Sequence, residues 1–207
     1  MLWLLIGNIF ALPLAHYEPW GRLAGRAVLS LIIVSGVIAT ARNRLLIVIT
    51  TIFSFGFLLI GWEGVRRPTL YLDLLNDVGA VLFLAFFVYL ILRQVLRAGP
   101  ITARRIEGAI AVYLLTGLIW AFAYDWLEQM RPGSFALPAH ASGAPLSELG
   151  YFSFTTLTTV GFGDIVPLNP LARSLAVTEA LIGQLFPVIL IARLVAMELE
   201  YHRRPDQ

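Results

Sequence analysis

A row of threonines followed by alternating glycines lies in the last third of the chain, where residues 155–164 read TTLTTVGFGD. Glycine can adopt backbone φ values that are closed to residues with a Cβ atom, so Gly161 and Gly163 can alternate in conformation with Val160 and Phe162. This alternation would let successive backbone carbonyl groups point in the same direction. A ring of such carbonyls can replace the water shell of a potassium ion. The segment therefore predicts a cation-coordinating strand, and a closed ring would need several copies of the chain.

The sequence TTVGFGD resembles the selectivity filter of the tetrameric potassium-channel superfamily, whose common form is TVGYG. The resemblance extends over residues 103–196, which read in the order membrane helix, re-entrant pore helix, filter, membrane helix. The whole chain is similar to bacterial six-segment ion channels that lack a charged voltage sensor. A glycine-rich re-entrant loop of an unrelated transporter is the alternative, and two flanking segments of membrane length make it the weaker one.

The composition indicates an integral membrane protein. Of the 207 residues, 58% are hydrophobic and 14% are charged, whereas soluble domains carry about 25% charged residues. All 15 basic residues are arginines, which lie mainly at the ends of apolar segments, as in membrane proteins. We therefore expect no nucleic-acid partner. Because cysteine is absent and the three histidines lie far apart in sequence, we also expect no cofactor and no thiolate or histidine metal site.

The chain divides into two predicted parts near residues 99–100, where a glycine and a proline end a long apolar segment. We predict an all-α integral membrane protein in which residues 1–100 form a peripheral transmembrane domain and residues 101–207 form the pore domain. The resemblance implies that the first part is a four-helix domain of the S1–S4 type. Its first predicted span is shorter than the ~20 residues that a full crossing requires, so an interfacial helix or a signal peptide is also consistent with it. The four predicted spans cover residues 2–15, 23–41, 45–62 and 70–96.

In the predicted pore domain, a linker precedes two membrane helices that flank the filter. A helix that begins near Ser147, whose hydroxyl is a plausible N-cap, is too short to cross the membrane and fits a re-entrant pore helix. Its C-terminal end would direct the negative pole of the helix dipole towards a waiting cation. The predicted order is a linker over 101–107, a fifth span over 108–127, an outer turret over 128–145, a pore helix over 147–158, the filter, and a sixth span over 171–197.

The fourth predicted span lacks the charges of a voltage sensor. Such a sensor carries arginine at every third position through the membrane, but residues 78–92 contain no charge, and Arg93 and Arg97 lie only at the inner end of the span. We interpret these two arginines as interfacial anchors and expect weak or absent voltage sensing. Few residues follow Glu198, from which we expect no attached cytoplasmic sensor domain.

The resemblance implies a role for each filter residue. The Thr159 hydroxyl would form the innermost ion site, and Asp164 would lie behind the filter near its outer mouth. Backbone carbonyl ligands for potassium are implied at Thr159, Val160, Gly161, Phe162 and Gly163.

Two departures from the family pattern concern the support of the filter. Phe162 stands where the family usually has tyrosine, so its ring cannot hydrogen-bond to the surrounding aromatic cuff. The cuff residue is Phe152 in this chain, where many members have tryptophan. Thr155 stands where some bacterial members have glutamate. The hydrogen bonds that hold the outer end of the filter are therefore absent or rebuilt. The prediction remains a potassium-selective channel. The alternatives are a weakly selective cation channel and a non-conducting regulatory subunit, although a complete filter argues against the latter.

The sixth span contains the candidate gate and a membrane-embedded acid. Gly183 and Pro187 weaken a helix locally and favour a kink, so together they form a candidate hinge, the alternative being simple tolerance for packing. By alignment, Gln184 would face the water-filled cavity. Glu179 would lie higher, where it would either brace the filter by hydrogen-bonding Thr155 or the neighbouring threonine, or face the cavity and attract cations.

Topology and partners follow from the filter. With the turret outside, more of the arginines face the cytoplasm than the exterior, as the positive-inside rule expects. We therefore expect a multi-pass protein of the cell inner membrane with a cytoplasmic C-terminus. A single filter strand per chain implies a homotetramer in contact with membrane lipids. Nothing in the sequence resembles a catalytic nucleophile and base, so no enzyme activity is expected.

Overall fold

The computed structural model describes residues 48, 55, 56, 59, 70–97, 102–138 and 145–202. The predicted spans over 2–15 and 23–41 lie outside the described residues, and so does most of the span over 45–62. The four-helix domain over residues 1–100 therefore stays a prediction, of which only the fourth helix is described in full.

Helices dominate the described part of the chain. Three of them (α1, α2 and α4) are long and apolar enough to cross a membrane, whereas α3 has 13 residues and is too short to do so. A pair of two-residue antiparallel strands, which the all-α prediction did not include, joins the loops on either side of α3 and the filter. The elements are α1 (Leu70–Val95), α2 (Ala103–Met130), β1 (Phe135–Ala136), α3 (Pro145–Leu157), β2 (Val166–Pro167) and α4 (Pro170–His202).

Helix α1 begins at Leu70 as predicted, whereas the starts of α2, α3 and α4 differ from the predicted ones. Residues 103–107, predicted to be a linker, are the first residues of α2, which follows Thr102 in extended conformation. The pore helix begins at Pro145, so Ser147 lies in its first turn rather than at the N-cap. Proline suits such a position because the first N–H groups of a helix have no intrahelical partner. The N-terminus of α4 is capped by Asn169, whose Oδ1 accepts the N–H of Ala172 at 2.8 Å.

Helix α1 packs along α2 through an apolar seam. Buried side chains of α1 contact buried side chains of α2, and Leu190 and Leu194 from the C-terminal half of α4 belong to the same cluster. At the other end, the Gln129 side-chain amide donates to Asp77 at 2.7 Å and so links the two helices. The seam includes Phe83, Leu84, Phe87 and Ile91 of α1 and Ala109, Val112, Leu115 and Leu118 of α2.

A second cluster lies between α2, α3 and the segment after the filter. It holds Tyr124, Phe135, Phe152 and Ile165, all buried. The rings of Tyr124, Phe135 and Phe152 meet edge to face, with centroids 5.2 to 5.4 Å apart, an arrangement that aromatic quadrupoles favour.

Helix α4 is mostly uncovered within one protomer. Its apolar side chains recur three or four residues apart along one face, and each is more than half exposed. A helix face of this kind, in a protein this apolar, is suited to contact lipid or another copy of the chain. The exposed side chains include Leu181, Leu185, Val188, Val195 and Leu199.

Candidate ion-coordinating site

The backbone of the predicted filter is oriented by the end of the pore helix. The N–H groups of residues 159–161 donate to the carbonyl oxygens of Thr155 and Thr156, at distances of 2.8 to 3.1 Å. In a planar trans peptide the carbonyl of the preceding residue points opposite to the N–H. The carbonyl oxygens of residues 158–160 therefore all point away from α3, in a common direction.

The backbone conformation alternates over residues 159–163, which continues this arrangement beyond residue 160. The φ angles of Thr159, Gly161 and Gly163 are +59°, +53° and +79°, whereas Val160 and Phe162 between them are not in the positive-φ region. Thr159 is the single non-glycine residue with positive φ in the described part of the chain. A residue with a Cβ atom costs about 1–2 kcal/mol in this conformation, a strain of the kind that accumulates at functional sites.

The outward side of this strand is open. Residues 158–164 are all exposed in the single protomer, and the side chain of Phe162 is 69% exposed. The carbonyl row therefore faces a space that no described residue of the same chain fills.

The end of the pore helix is fastened to its own last turn and to α2. The Thr158 hydroxyl donates to the Phe154 carbonyl at 2.6 Å. The hydroxyl of Tyr113 on α2 donates to the carbonyl of Leu157 at 3.0 Å. The Thr155 hydroxyl donates to the carbonyl of Phe152, also in α3, at 2.9 Å. Thr155 therefore supports the filter through its carbonyl group.

Glu179 is buried completely, with 0% of its surface exposed, and joins three helices. Its Oε2 accepts the hydroxyl of Tyr124 on α2 at 2.5 Å, and its Oε1 accepts the hydroxyl of Ser153 on α3 at 2.6 Å. The prediction that Glu179 hydrogen-bonds Thr155 or Thr156 is wrong, because its carboxylate contacts α3 at Ser153, earlier in that helix. The cavity-facing alternative is also wrong, since the carboxylate is enclosed between helices.

Sequence reasoning missed the two partners of Glu179. Neither Tyr124 nor Ser153 lies in a sequence pattern that indicates this role. The Ser153 hydroxyl also lies 2.7 Å from the carbonyl oxygen of Gly117, so it has an acceptor on α2 as well. A buried acid needs partners that donate to it, and this requirement could have directed attention to hydroxyl groups on the neighbouring helices.

The aromatic surroundings of Phe162 differ from the predicted cuff. Within one protomer its ring stacks on Tyr151, with centroids 6.2 Å apart and planes 4° from parallel. Phe152, the predicted cuff residue, belongs to the second cluster with Tyr124 and Phe135 instead. Burial, together with the nearby Asp164 carboxyl, raises the pKa of Tyr151. Tyr151 thus lies beside Phe162 and Asp164, the two residues that flank Gly163.

The candidate gate residues occupy different environments on α4. Gly183 is buried against the end of the pore helix, and a Cβ atom built on it would lie 1.9 Å from the Leu157 carbonyl oxygen. Gln184 is exposed, on the uncovered side of α4. Pro187 lies inside the helix, one turn beyond Gly183. Close packing therefore requires glycine at position 183, whether or not this residue also allows α4 to bend.

Comparison with known proteins defines the class. A family model described as an ion channel matches residues 110–199, which run from α2 through the filter strand into α4. No solved structure matches the chain. The match covers most of α2, α3, the filter strand and most of α4, and over these residues the chain is similar to ion channels rather than to enzymes.

The particular relatives are potassium channels and a further bacterial protein. The inward rectifier potassium channel Kirbac3.1 of Paramagnetospirillum magnetotacticum is 37% identical over 78 residues, which are 36% of this chain and 23% of that protein. Two pore potassium channel c of Oryza sativa subsp. japonica is 38% identical over 72 residues, 33% of this chain and 15% of that protein. Protein LctB of Geobacillus stearothermophilus is 39% identical over 61 residues, 28% of this chain and 45% of that protein. The chain thus spans less than half of each of these relatives, and the similarity lies between parts of the chains.

Proposed function

We propose that this chain forms a homotetrameric potassium-selective channel. The observation that carries the proposal is the orientation of the strand after α3, whose N–H groups turn back to the pore helix and leave a row of carbonyl oxygens on the open side. Four such rows around an axis would enclose sites in which oxygens replace the hydration shell of potassium. The names of two relatives, which are potassium channels, support the choice of ion.

In this proposal the ions pass in single file through stacked oxygen rings. Repulsion between neighbouring ions drives each one forward, and no covalent step occurs. The inner site uses the Thr159 hydroxyl, and Asp164 supports the outer mouth together with Tyr151. The rings themselves are formed by the carbonyl groups of Thr159, Val160, Gly161, Phe162 and Gly163.

The tetramer accounts for two features that one protomer leaves unexplained. The filter strand is open on one side, and α4 exposes a continuous apolar face. In a four-fold assembly, α4 of each copy would line the central cavity with Gln184 facing the water and would contact its neighbours elsewhere. We place the assembly in the cell inner membrane with the C-terminus in the cytoplasm.

Gating in this proposal does not depend on a voltage sensor. Helix α1 carries no charged residue between positions 78 and 92, so the transmembrane field has no column of charge to move. Glu179 and Phe152 would brace the pore helix, and Pro187 with Gly183 would set the geometry of α4 at the gate.

Ion flux from liposomes that contain the purified protein tests the proposal. We expect potassium and rubidium flux, little sodium flux, and block by barium. Gly161→Ala should abolish the flux, because alanine is strained at φ +53° and would distort a carbonyl ring. Gly79→Ala on α1 is the matched control, since no atom lies within 4 Å of a Cβ atom added there.

Two other results would replace the proposal with an alternative. Sodium flux equal to potassium flux would favour a weakly selective cation channel, for which the missing hydroxyl of Phe162 would be the reason. An intact tetramer without flux, in the presence of agents that open related channels, would favour a non-conducting regulatory subunit.

A further inference from the structure

We infer that Glu128 is a positioning residue for the outer end of the filter, which it holds through an extracellular strap. The strap consists of residues 131–136 before the pore helix and residues 165–169 after the filter. The inference rests on the proposed channel function for its consequence, but the connections themselves are features of one protomer.

The first connection fixes the turn that follows α2. The two carboxylate oxygens of Glu128 accept the backbone N–H groups of Gly133 at 2.7 Å and Phe135 at 3.1 Å. Hydrogen bonds with an ionised acceptor are roughly twice as strong as neutral ones. Glu128 therefore holds the backbone on both sides of Ser134, and it anchors the turn to the last turn of α2.

The second connection runs from this turn to the segment after the filter. Ser134 is 1% exposed; its hydroxyl donates to the Arg131 carbonyl at 2.6 Å and accepts the Asn169 side-chain amide at 2.7 Å. The Ser134 carbonyl accepts the N–H of Leu168 at 2.8 Å. Strand β1 then pairs with β2, with Phe135 opposite Pro167.

The third connection reaches the filter. Ile165 is 3% exposed and packs in the second cluster with Phe135, Phe152 and Tyr124. Gly163, the outermost filter residue, is only two residues before it. The position of the outer carbonyl rings relative to α2 and α3 is therefore fixed by the strap as well as by the end of the pore helix.

The strap matters because few other supports of the filter lie at that level among the described residues. Phe162 has no hydroxyl group, and the hydroxyl of Thr155 is used within its own helix. Among the described residues, Gly161 is the last filter residue whose N–H group donates to the pore helix. Beyond Gly161, the described contacts that hold the filter are those of Tyr151, Asp164 and the strap.

The test compares Glu128→Gln and Ser134→Ala with Glu107→Gln in the full-length tetramer. Glu107 is an exposed acid in the first turns of the same helix, so its variant removes the same charge at a distance from the strap. Ser134→Ala removes no charge, so an effect that it shares with Glu128→Gln cannot arise from surface electrostatics. Two quantities are measured for each variant: amide hydrogen exchange of residues 163–168, and the ratio of rubidium to sodium flux.

We expect exchange in residues 163–168 to rise about tenfold in both strap variants, which corresponds to the loss of one strong hydrogen bond. The rubidium-to-sodium ratio should fall severalfold in the same variants, and Glu107→Gln should match the parent in both measurements. Unchanged exchange and an unchanged flux ratio in an intact Glu128→Gln tetramer would overturn the inference, as would faster exchange with an unchanged ratio.

Failure of the proposed function gives a different result. If the parent protein conducts no ion, the channel proposal fails. The inference is then tested by comparing amide hydrogen exchange of residues 163–168 in potassium with the same exchange in sodium. Protection of residues 163–168 by potassium that is lost in the strap variants would support the positioning role. Equal protection in the parent and the strap variants would overturn it.

Discussion

The carbonyl oxygen of Leu157 occupies the space that a Cβ atom on Gly183 would need, because the two positions lie 1.9 Å apart. The last residue of the pore helix therefore rests directly on the backbone of α4. The same carbonyl accepts the hydroxyl of Tyr113 at 3.0 Å, and the ring of Tyr113 stacks on Phe186 of α4. Helices α2, α3 and α4 thus meet at the inner end of the filter. A shift of α4 would therefore displace the backbone groups that we propose as ion ligands.

Gly183→Ala should destabilise the tetramer, since the added methyl group has to displace backbone atoms of the pore helix. The cost of overpacking is typically about 1–3 kcal/mol, and displacement of the pore helix should also reduce potassium selectivity. The melting temperature of the tetramer and the sodium leak of liposomes measure the two effects. Gly79→Ala has open space at its Cβ position and should stabilise α1 slightly, by up to about 1 kcal/mol. A Gly183→Ala tetramer as stable and selective as the parent would show that this contact is not required.

Glu179→Gln should weaken the junction of the three helices. Glutamine retains one acceptor oxygen, but its NH₂ group replaces the other, so either the Tyr124 hydroxyl loses its acceptor or the Ser153 hydroxyl has to turn to the Gly117 carbonyl. A buried donor left without an acceptor costs about 1–3 kcal/mol. We expect a lower melting temperature and faster loss of flux in low potassium. Unaltered single-channel conductance and gating would exclude a role of Glu179 in bracing the filter.

A double-mutant cycle separates the two hydrogen bonds of Glu179. Tyr124→Phe alone should cost about 1–3 kcal/mol, because it leaves one buried oxygen of Glu179 without its donor. Combined with Glu179→Gln, its effect should be smaller, because residues in one network couple. Additive losses of tetramer stability would mean that the two side chains act independently, against the geometry of the network.

Thr159→Ala and Thr159→Ser distinguish the hydroxyl of Thr159 from its backbone. Both replacements keep a Cβ atom at φ +59°, so the strain of the strand is similar, and only alanine removes the innermost oxygen ligand. Barium block should weaken severalfold in the alanine variant and remain close to the parent value in the serine variant. Equal block in both variants would contradict an inner site formed by this hydroxyl.

Pro187→Ala should change the rate of flux and leave its selectivity unchanged. Alanine restores the N–H group that proline lacks, so α4 can form the missing hydrogen bond and straighten. If a kink at Pro187 opens the inner end of the proposed pore, the straighter helix will favour closure and lower the steady rubidium flux. The rubidium-to-sodium ratio should not change, because Pro187 lies one turn beyond Gly183, where α4 contacts the end of the pore helix. A fall in the ratio would place the effect of Pro187 at the filter rather than at a gate.

The sequence by itself determined the segment in which we propose the ion sites and the helices that flank it. Glycines at 161 and 163 predicted the alternating backbone because φ freedom is a property of single residues. Helices α1, α2 and α4 were predicted, with ends shifted by a few residues, because apolar length is also a local property. The similarity to potassium channels was predicted from the same motif.

Only the tertiary structure decided how the site is supported. Glu179 hydrogen-bonds Tyr124, 55 positions away, and Ser153, 26 positions away, and the strap joins Ser134 to Asn169 across 35 positions. Packing of α2, α3 and α4 determines which of several hydroxyl groups a buried acid meets, and no periodicity in the sequence encodes that choice. Gly183 likewise suggested a hinge because glycine weakens a helix, whereas its contact with Leu157 depends on the distance between two helices, which the local sequence does not specify.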